Sequence, residues 1–470
     1  MSAGSGIRLT GFKPPRAGPP EQPMLNLPRR LTEREEPVRA GVIGAGLFGT
    51  NLVHQLERSQ GMTTAAIADI DRQKAESALE SAGVSPTAVR RVEDVTTADT
   101  VIADGERAVL EDGLDLVRAD VDVVVEATGL PAVGARHAYA AIEQGRHVVM
   151  VTVEADTVVG PILADLAESA GVTYSMAYGD QPALICELVD WANIVGFEVV
   201  AAGKGNPSRP EFRHGTPDDI FDRLGFDEAF VEERDLNPRM YNSFYDGTKV
   251  AVEMCAVANA TGLEPDVPGM HLPVASIPEI PEQLRPEAEG GILTDTGVVE
   301  TIRTRRPDGS TVEEDISFGV YVVVRTPDEP IKRYLAQNAG PGFNVASDGE
   351  YAVFYRPHHL PGLETGVSVA NAAVRNEPTG TPRERVAEVV GAAKRDLEPG
   401  DVIDGGGGAT VYGRLETAED ADAAGYVPFE LLDGAEVSAP IAQDEVVTAA
   451  DVSLDEDSFL YHLRKVQDGI

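Results

Sequence analysis

From residue 38 onward, runs of apolar residues alternate with amphipathic segments, a pattern that predicts strands separated by helices. The predicted elements are, in chain order, a strand at 39–44, a helix at 47–59, a strand at 63–69, a helix at 71–82, a strand at 121–125, a helix from Pro131 and a strand at 147–151. Strands that alternate regularly with helices are typical of an α/β fold with a doubly wound parallel sheet.

The pattern changes after residue 178. Helical periodicity near 181–195 and 247–261, a proline-rich loop at 263–290 and strand-like runs near 318–325 and 351–356 suit an α+β unit. From residue 385, short Val and Ile pairs separated by Gly and Asp predict a small β-rich domain, in which residues 397–403 and 441–447 form a faint repeat. The predicted division is an N-terminal extension at 1–37 and three domains at 38–178, 179–384 and 385–470.

The charge of the chain is strongly acidic. It has 78 Asp and Glu against 39 Lys and Arg, a formal net charge of −39 at pH 7. Such a charge repels nucleic acid, and an acid-rich surface suits concentrated salt, which screens self-repulsion. There is no apolar run of membrane-spanning length, no secretory-type apolar segment at the N-terminus and only two cysteines. We therefore expect a halophilic, cytoplasmic homo-oligomer with a small-molecule substrate and no membrane or nucleic-acid partner.

A glycine turn lies between the first predicted strand and helix. Residues 44–49 read Gly-Ala-Gly-Leu-Phe-Gly, and a strand before and a helix after are the context that a dinucleotide-binding turn requires. Gly44 permits the tight turn, Gly46 lets the backbone approach a pyrophosphate, and Gly49 allows close packing of helix and strand. Asp69 ends the second strand, where a carboxylate can bind the adenosine ribose hydroxyls of NAD. A Rossmann-type sheet with a nicotinamide dinucleotide is predicted.

Other residues bear on whether the cofactor is NAD or NADP and on where its nicotinamide binds. Arg72 could neutralise the 2′-phosphate of NADP, so NAD and NADP both stay open. Residues 126–131 form a small-residue loop at the end of a strand, where ligands of such sheets bind. Glu154 is expected either to face the nicotinamide or to stabilise a helix N-terminus. The predicted cofactor-binding residues are Gly44, Gly46, Leu47, Phe48, Gly49, Asp69, Arg72, Ala127, Thr128, Gly129 and Glu154.

Two lysines and a glutamate are the candidates for catalysis. Asp246 is the predicted N-cap of a helix on which Lys249 and Glu253 share a face among apolar residues. Such a lysine could have a lowered pKa and act as a general acid or base, or could hold the substrate oxygen; a surface ion pair is the alternative. Lys204 follows the strand-like run 199–203 and is expected to project into a cleft or to the surface. The run of four glycines at 405–408 predicts a turn or, alternatively, an anion-binding nest.

Six motifs point to a known family: residues 42–46, 126–129, 246–249, 258–263, 355–360 and 394–400. They resemble the homoserine dehydrogenase-like oxidoreductases with a C-terminal SAF domain, a group that includes deoxyxylulose phosphate reductoisomerase-like enzymes. The resemblance covers the chain from about Met24 and implies that the third domain is SAF-like. True homoserine dehydrogenases carry an Asn-Lys pair with a catalytic lysine after the fifth strand, whereas Val153 and Glu154 stand here, which argues against homoserine.

Three functions are consistent with these observations. The first is NAD(P)-dependent hydride transfer to or from a small hydroxylated, possibly phosphorylated, substrate, with Lys204, Lys249 and Glu253 at the reacting oxygen. The second is a reductoisomerase on a ketose phosphate, for which the resemblance implies NADPH and a divalent metal, with Glu154 or Glu253 as ligands. The third is a non-catalytic dinucleotide-dependent sensor that binds a sugar acid or a partner protein through the SAF-like domain.

Overall fold

The computed structural model describes residues 26–234 and 236–469, so most of the predicted N-terminal extension, residues 1–25, lies outside the described residues. The elements of the first unit are α1 (Leu27–Thr32), β1 (Val38–Ile43), α2 (Leu47–Arg58), β2 (Met62–Ala68), α3 (Arg72–Ser81), β3 (Val89–Arg91), α4 (Val95–Ala103), β4 (Arg107–Leu110), α5 (Gly113–Arg118), β5 (Val123–Glu126), α6 (Pro131–Glu143), β6 (His147–Met150), α7 (Val153–Ala170) and β7 (Tyr174–Met176).

The strands of the first unit form a seven-stranded sheet in the order β3-β4-β2-β1-β5-β6-β7. Every neighbouring pair is parallel. The sheet is buried on both faces, which is why β5 reads as an unbroken run of valines. The predicted Rossmann-type fold is confirmed. Strands β3 and β4 were not predicted, because β3 is short and half exposed and both begin or end with arginines.

The elements of the second unit are α8 (Gln181–Ile194), β8 (Glu198–Asn206), α9 (Ile220–Leu224), α10 (Glu228–Glu233), α11 (Pro238–Asp246), α12 (Thr248–Thr261), β9 (Glu264–Pro265), α13 (Ile280–Gln283), β10 (Val298–Arg303), β11 (Val320–Arg325), α14 (Glu329–Asn338), β12 (Phe343–Val345), β13 (Tyr351–Arg356) and α15 (Gly366–Arg375). A mixed sheet has the order β12-β13-β11-β8-β10-β9. Helices α8 and α12 cover one face, and the chain from Ala275 to Leu293 covers the other. This is the predicted α+β architecture.

Helix α12 starts differently from the prediction. Asp246 is the last residue of α11, and Gly247, with φ 102°, is the N-cap of α12. The Asp246 carboxylate nevertheless accepts a hydrogen bond from the Thr248 N–H at 2.8 Å, as a capping side chain does.

The third unit comprises β14 (Ala387–Ala393), β15 (Val411–Thr417), α16 (Ala418–Ala424), β16 (Glu436–Val437), β17 (Val452–Ser453) and α17 (Phe459–Gly469). β14 pairs with β15 and β16 with β17, both antiparallel. The two copies of the faint repeat meet, because Leu397 and Ile441 exchange backbone hydrogen bonds of 2.8 and 3.0 Å. The domain boundaries stay predictions; α15 and α17 both pack against the first unit. None of the described helices is long and apolar enough to cross a membrane.

Asp156, in the first turns of α7, is a buried acid that makes stability depend on pH. It is 0% exposed and accepts a hydrogen bond from the Tyr174 hydroxyl, and burial raises its pKa to about 7. Because the folded pKa lies above the ordinary value, the stabilisation by the neutral acid is lost as the pH rises towards 7. We expect Asp156→Asn to raise the free energy of unfolding by roughly 2–3 kcal/mol more near pH 8 than near pH 5. Urea unfolding at both pH values measures this, and equal gains would contradict it.

Candidate active site

The glycine turn follows β1 at the carboxyl edge of the parallel sheet. A Cβ on Gly44 would lie 2.5 Å from the Ala127 carbonyl oxygen, and a Cβ on Gly49 would lie 2.0 Å from the Gly44 carbonyl oxygen. Packing therefore requires both glycines. A Cβ on Gly46 would meet nothing within 4 Å, and its φ of −71° suits any residue. Within the described residues nothing requires a glycine at this position, and the missing side chain leaves room for a pyrophosphate at the N-terminus of α2.

Asp69 lies beside the glycine turn. Its carboxylate accepts hydrogen bonds from the Ala45 N–H at 2.7 Å and the Asp71 N–H at 2.8 Å, which fix it at the end of β2. Arg72 is held elsewhere, because its guanidinium is paired with Glu93 and Glu111. A hydrogen bond to Glu93 is the main reason why the pKa of Arg72 is raised. The one nearby cation predicted to accept a 2′-phosphate is therefore already neutralised by two carboxylates.

Three large apolar side chains are exposed along the same edge. Leu47 follows the glycine turn, Ile70 follows Asp69, and Leu130 follows the loop after β5; they are 80%, 91% and 57% exposed. Apolar side chains exposed beside the carboxyl ends of parallel strands are typical of a ligand cleft, because ligands of such sheets bind there.

Glu126 fixes the loop expected near the nicotinamide. It is fully buried at the end of β5 and accepts hydrogen bonds from the hydroxyls of Thr128 at 2.6 Å and Thr152 at 2.5 Å. The Gly129 N–H in turn donates to the Thr152 hydroxyl at 3.0 Å. This network fixes the conformation of the loop formed by Ala127, Thr128 and Gly129. Glu126 is part of the motif at residues 126–129, but its role in fixing this loop was not predicted.

Four of the charged candidates come together where the first two units meet. The Lys249 ammonium donates to Glu154 at 2.8 Å, so α12 is linked to the start of α7 at the sheet edge. Lys204 donates to the Gln181 side chain at 2.6 Å and forms a buried ion pair with Glu253. The sequence predicted that Lys204 lies at the end of its strand. It lies instead inside β8, which continues to Asn206. It points to the sheet face that α8 and α12 cover.

Comparisons with known protein families agree with this arrangement. Residues 44–177 match the family described as homoserine dehydrogenase, NAD binding domain, residues 179–365 match oxidoreductase DRL, catalytic domain, and residues 388–453 match the SAF domain. The chain is an NAD(P)-dependent oxidoreductase. The three matches confirm the predicted group, and a comparison with curated proteins gives no match.

The oxidoreductase is also similar to several solved structures. They include a probable dehydrogenase from Thermotoga maritima, 15% identical with a TM-score of 0.32 over 61% of this chain and 72% of that chain. A putative myo-inositol dehydrogenase from Sinorhizobium meliloti 1021 is 14% identical, with a TM-score of 0.37 over 72% and 90%. A scyllo-inositol dehydrogenase from Lactobacillus casei, with bound NAD(H) and scyllo-inositol, is 14% identical, with a TM-score of 0.32 over 62% and 74%.

The electrostatics of the oxidoreductase site differ from the prediction for Lys249. Burial alone would lower its pKa, but the charges of Glu154, Glu253 and Asp180 outweigh burial, and the pKa is raised. The expected lowering is wrong, because Glu154 and Asp180, which lie on other elements, add their negative charges to that of Glu253 on α12. Lys249 therefore stays protonated and can hold an oxygen atom but cannot serve as a base near neutral pH.

Asp180, which the sequence analysis missed, belongs to the same cluster. It is the N-cap of α8, and burial together with the charge of Glu253 raises its pKa. The neighbouring charge of His359 opposes this shift. His359 stacks with Phe318 at 6.4 Å between ring centroids, and Phe318 is exposed. The loop that contains His359 packs against α2, since a Cβ on Gly362 would lie 2.7 Å from the Phe48 carbonyl oxygen.

A metal site and an anion-binding nest at residues 405–408 were two alternatives for the oxidoreductase. Within residues 26–234 and 236–469, no group of three or more His, Cys, Asp and Glu side chains could hold a metal ion. The carbonyl oxygens of the glycine run accept hydrogen bonds from Arg239, Asn242 and Lys394. The run forms a turn whose carbonyl oxygens bind these donors.

Proposed function

We propose that the enzyme transfers a hydride between NAD and a hydroxyl-bearing carbon of a small substrate, with Lys204, Lys249 and Glu253 around the reacting oxygen. The ion pair between Lys249 and Glu154 carries this proposal. It puts a protonated amine at the start of α7, at the edge of the sheet where the nicotinamide end of a dinucleotide is expected.

The protonated Lys249 would donate a hydrogen bond to the substrate oxygen. As a hydride leaves the neighbouring carbon, this oxygen gains negative charge, which a fixed ammonium stabilises. The buried pair of Lys204 and Glu253 would place a second donor, together with Gln181, along the wall formed by α8 and α12. When bound, the nicotinamide accepts or supplies the hydride; the protein residues hold the oxygen and keep the reacting groups away from water.

NAD is the cofactor that the charges around the adenosine end favour over NADP. The Asp69 carboxylate is fixed by two backbone N–H groups, where it would bind ribose hydroxyls and repel a 2′-phosphate. Arg72 would have to leave Glu93 and Glu111 to bind that phosphate.

A substitution at Gly46 tests the cofactor site without disturbing the fold. Gly46→Ala is expected to leave the circular dichroism spectrum and thermal stability unchanged, because its Cβ meets no protein atom within 4 Å. It should weaken NAD binding by about 100-fold or more, roughly 2.7 kcal/mol, because the methyl group occupies the path of the pyrophosphate. Titration with NAD, followed by calorimetry, measures the affinity.

Gly340→Ala is the matched control for Gly46→Ala. A Cβ on Gly340 also meets nothing within 4 Å, but this residue lies away from the sheet edge. The control should bind NAD like the unaltered enzyme. Unaltered binding by Gly46→Ala would refute the proposed pyrophosphate position.

The reductoisomerase alternative needs a divalent ion with Glu154 or Glu253 among its ligands. Each of these carboxylates is paired with a lysine. These contacts favour the dehydrogenase reaction. Turnover of polyols and sugar phosphates, assayed with and without chelator, distinguishes a dehydrogenase, a metal-dependent isomerase and a non-catalytic sensor.

The halophilic and cytoplasmic setting and the homo-oligomer stay predictions. The halophilic setting rests on the net charge of −39, and the cytoplasmic setting rests in part on the presence of two cysteines. Cys186 and Cys255 are free thiols, and burial raises the pKa of Cys186 to about 12, so this thiol is unreactive near neutral pH.

A further inference from the structure

The C-terminal domain is bonded to both ends of α12, the helix that carries Lys249. At its start, the Thr248 hydroxyl accepts a hydrogen bond from the Gly413 N–H at 2.9 Å. At its end, the Asn259 side chain accepts hydrogen bonds from the N–H groups of Val386 at 2.9 Å and Ala387 at 3.0 Å. The C-terminal domain therefore holds both ends of the helix that carries Lys249.

A short 3-10 turn of this domain, Phe429–Leu431, carries Glu430. Phe429 is buried in the core that includes α12 and β14, and Leu431 packs against that core and against the core of the first unit. The turn contacts α7, whose first turn carries Glu154. Glu430 lies between these two anchors, half buried, with Glu154 and Lys249 as charged neighbours.

Both lysines of the site are already paired with carboxylates other than that of Glu430. Lys249 is paired with Glu154, and Lys204 with Glu253. Among the described residues, no ion pair is formed by Glu430. Burial raises its pKa to about 8; the charges of Glu154 and Asp433 add to the shift, and that of Lys249 opposes it. Near neutral pH this carboxyl group can therefore both donate and accept a proton.

The proposed reaction requires such a group. When an alcohol is oxidised, the C–H bond supplies the hydride, and the O–H proton must go to a base. Lys249 is protonated, because three carboxylates raise its pKa, so it cannot accept this proton. Glu253 is engaged in its buried ion pair with Lys204. Asp180 caps the N-terminus of α8, where its carboxylate accepts a hydrogen bond from the Gln181 N–H at 3.0 Å.

We propose that Glu430, contributed by the C-terminal domain, is the catalytic acid and base that exchanges the proton of the substrate oxygen. In oxidation, the O–H bond breaks and its proton binds the Glu430 carboxylate, while the hydride leaves the carbon for NAD⁺ and Lys249 keeps its proton. In reduction, the same proton returns to the oxygen. This inference rests on the proposed function, and it makes the SAF domain a component of the reaction rather than a separate binding module.

Glu430→Gln tests the proposal in the full-length enzyme with NAD⁺ and the best polyol of the substrate panel. We expect kcat to fall about 100-fold, with NAD affinity unchanged. In the unaltered enzyme, kcat for oxidation should rise with pH through about 8, the pKa of Glu430; in Glu430→Gln this rise should be absent. Glu430→Asp should keep the pH-dependent rise at a lower rate. Glu436→Gln, an exposed glutamate of the same domain, should behave like the unaltered enzyme.

A spectroscopic measurement separates this inference from the proposed function. The infrared difference spectrum between the unaltered enzyme and Glu430→Gln should contain a protonated carboxylic acid band that disappears as the pH rises through about 8. If Glu430→Gln turned over substrate at the normal rate with an unchanged pH profile, the role of Glu430 would be overturned, and the dehydrogenase reaction would stand. Absence of the band would also overturn it. Absence of turnover by the unaltered enzyme would instead overturn the dehydrogenase reaction on which the inference rests, whether or not the band is present.

Discussion

Replacing Lys249 by Met is expected to lower kcat by about 10³-fold and to leave NAD binding intact. The substitution keeps most of the length of the side chain and removes the ammonium that would hold the reacting oxygen. Glu154 loses its partner, but it is one-quarter exposed, so water can solvate its carboxylate and the fold should survive. Steady-state kinetics and NAD titration of the same preparation separate the two effects.

Lys332→Met is the matched control for Lys249→Met. Lys332 also forms ion pairs with two carboxylates, those of Glu329 and Glu350, but on the surface of α14. Its replacement should change neither kcat nor NAD affinity, which would show that the loss of an ion pair as such is harmless. If Lys249→Met turned over substrate at the normal rate, the role of Lys249 would have to be abandoned.

The cofactor half of the site could be predicted because its residues are close in sequence. The glycine turn, the strand before it and the helix after it are consecutive, and Asp69 ends the next strand, so local pattern and spacing are enough to place them. The state of Arg72 could not be predicted. Its partners Glu93 and Glu111 follow β3 and β4, which the hydrophobic pattern did not reveal.

The charged half of the site could be predicted only in part. Lys249 and Glu253 share a helix face by spacing alone, but the contacts that set their charge come from other elements. Glu154 is distant in sequence from Lys249, and Asp180 and Glu430 acquire unusual pKa values only because folding buries them beside other carboxylates. An apolar helix therefore suggested a lowered lysine pKa, whereas the folded chain surrounds that lysine with acids and raises its pKa.

Lys394→Met is expected to produce the largest loss of stability among the changes considered. The Lys394 ammonium is buried and donates to the Asp246 carboxylate at 2.7 Å, the Gly215 carbonyl at 2.9 Å and the Gly408 carbonyl at 2.6 Å, so each of its three protons has an acceptor. Methionine would leave the carboxylate of Asp246 buried without a counter-charge. Removing one partner of a buried ion pair lowers the free energy of unfolding by about 3–5 kcal/mol. Urea unfolding should show a loss of this size.

A second substitution shows whether the unpaired charge causes this loss. Asp246→Asn keeps the side-chain oxygen that accepts the Thr248 N–H and removes the charge. The double variant Lys394→Met, Asp246→Asn should therefore be more stable than Lys394→Met alone, in a double-mutant cycle with a coupling of about 1–3 kcal/mol. Because the same contacts hold the start of α12, Lys394→Met should also lower kcat, since Lys249 lies one residue past Thr248. If the single and double variants unfolded at the same urea concentration, the buried pair would not be what joins the C-terminal domain to the helix of the active site.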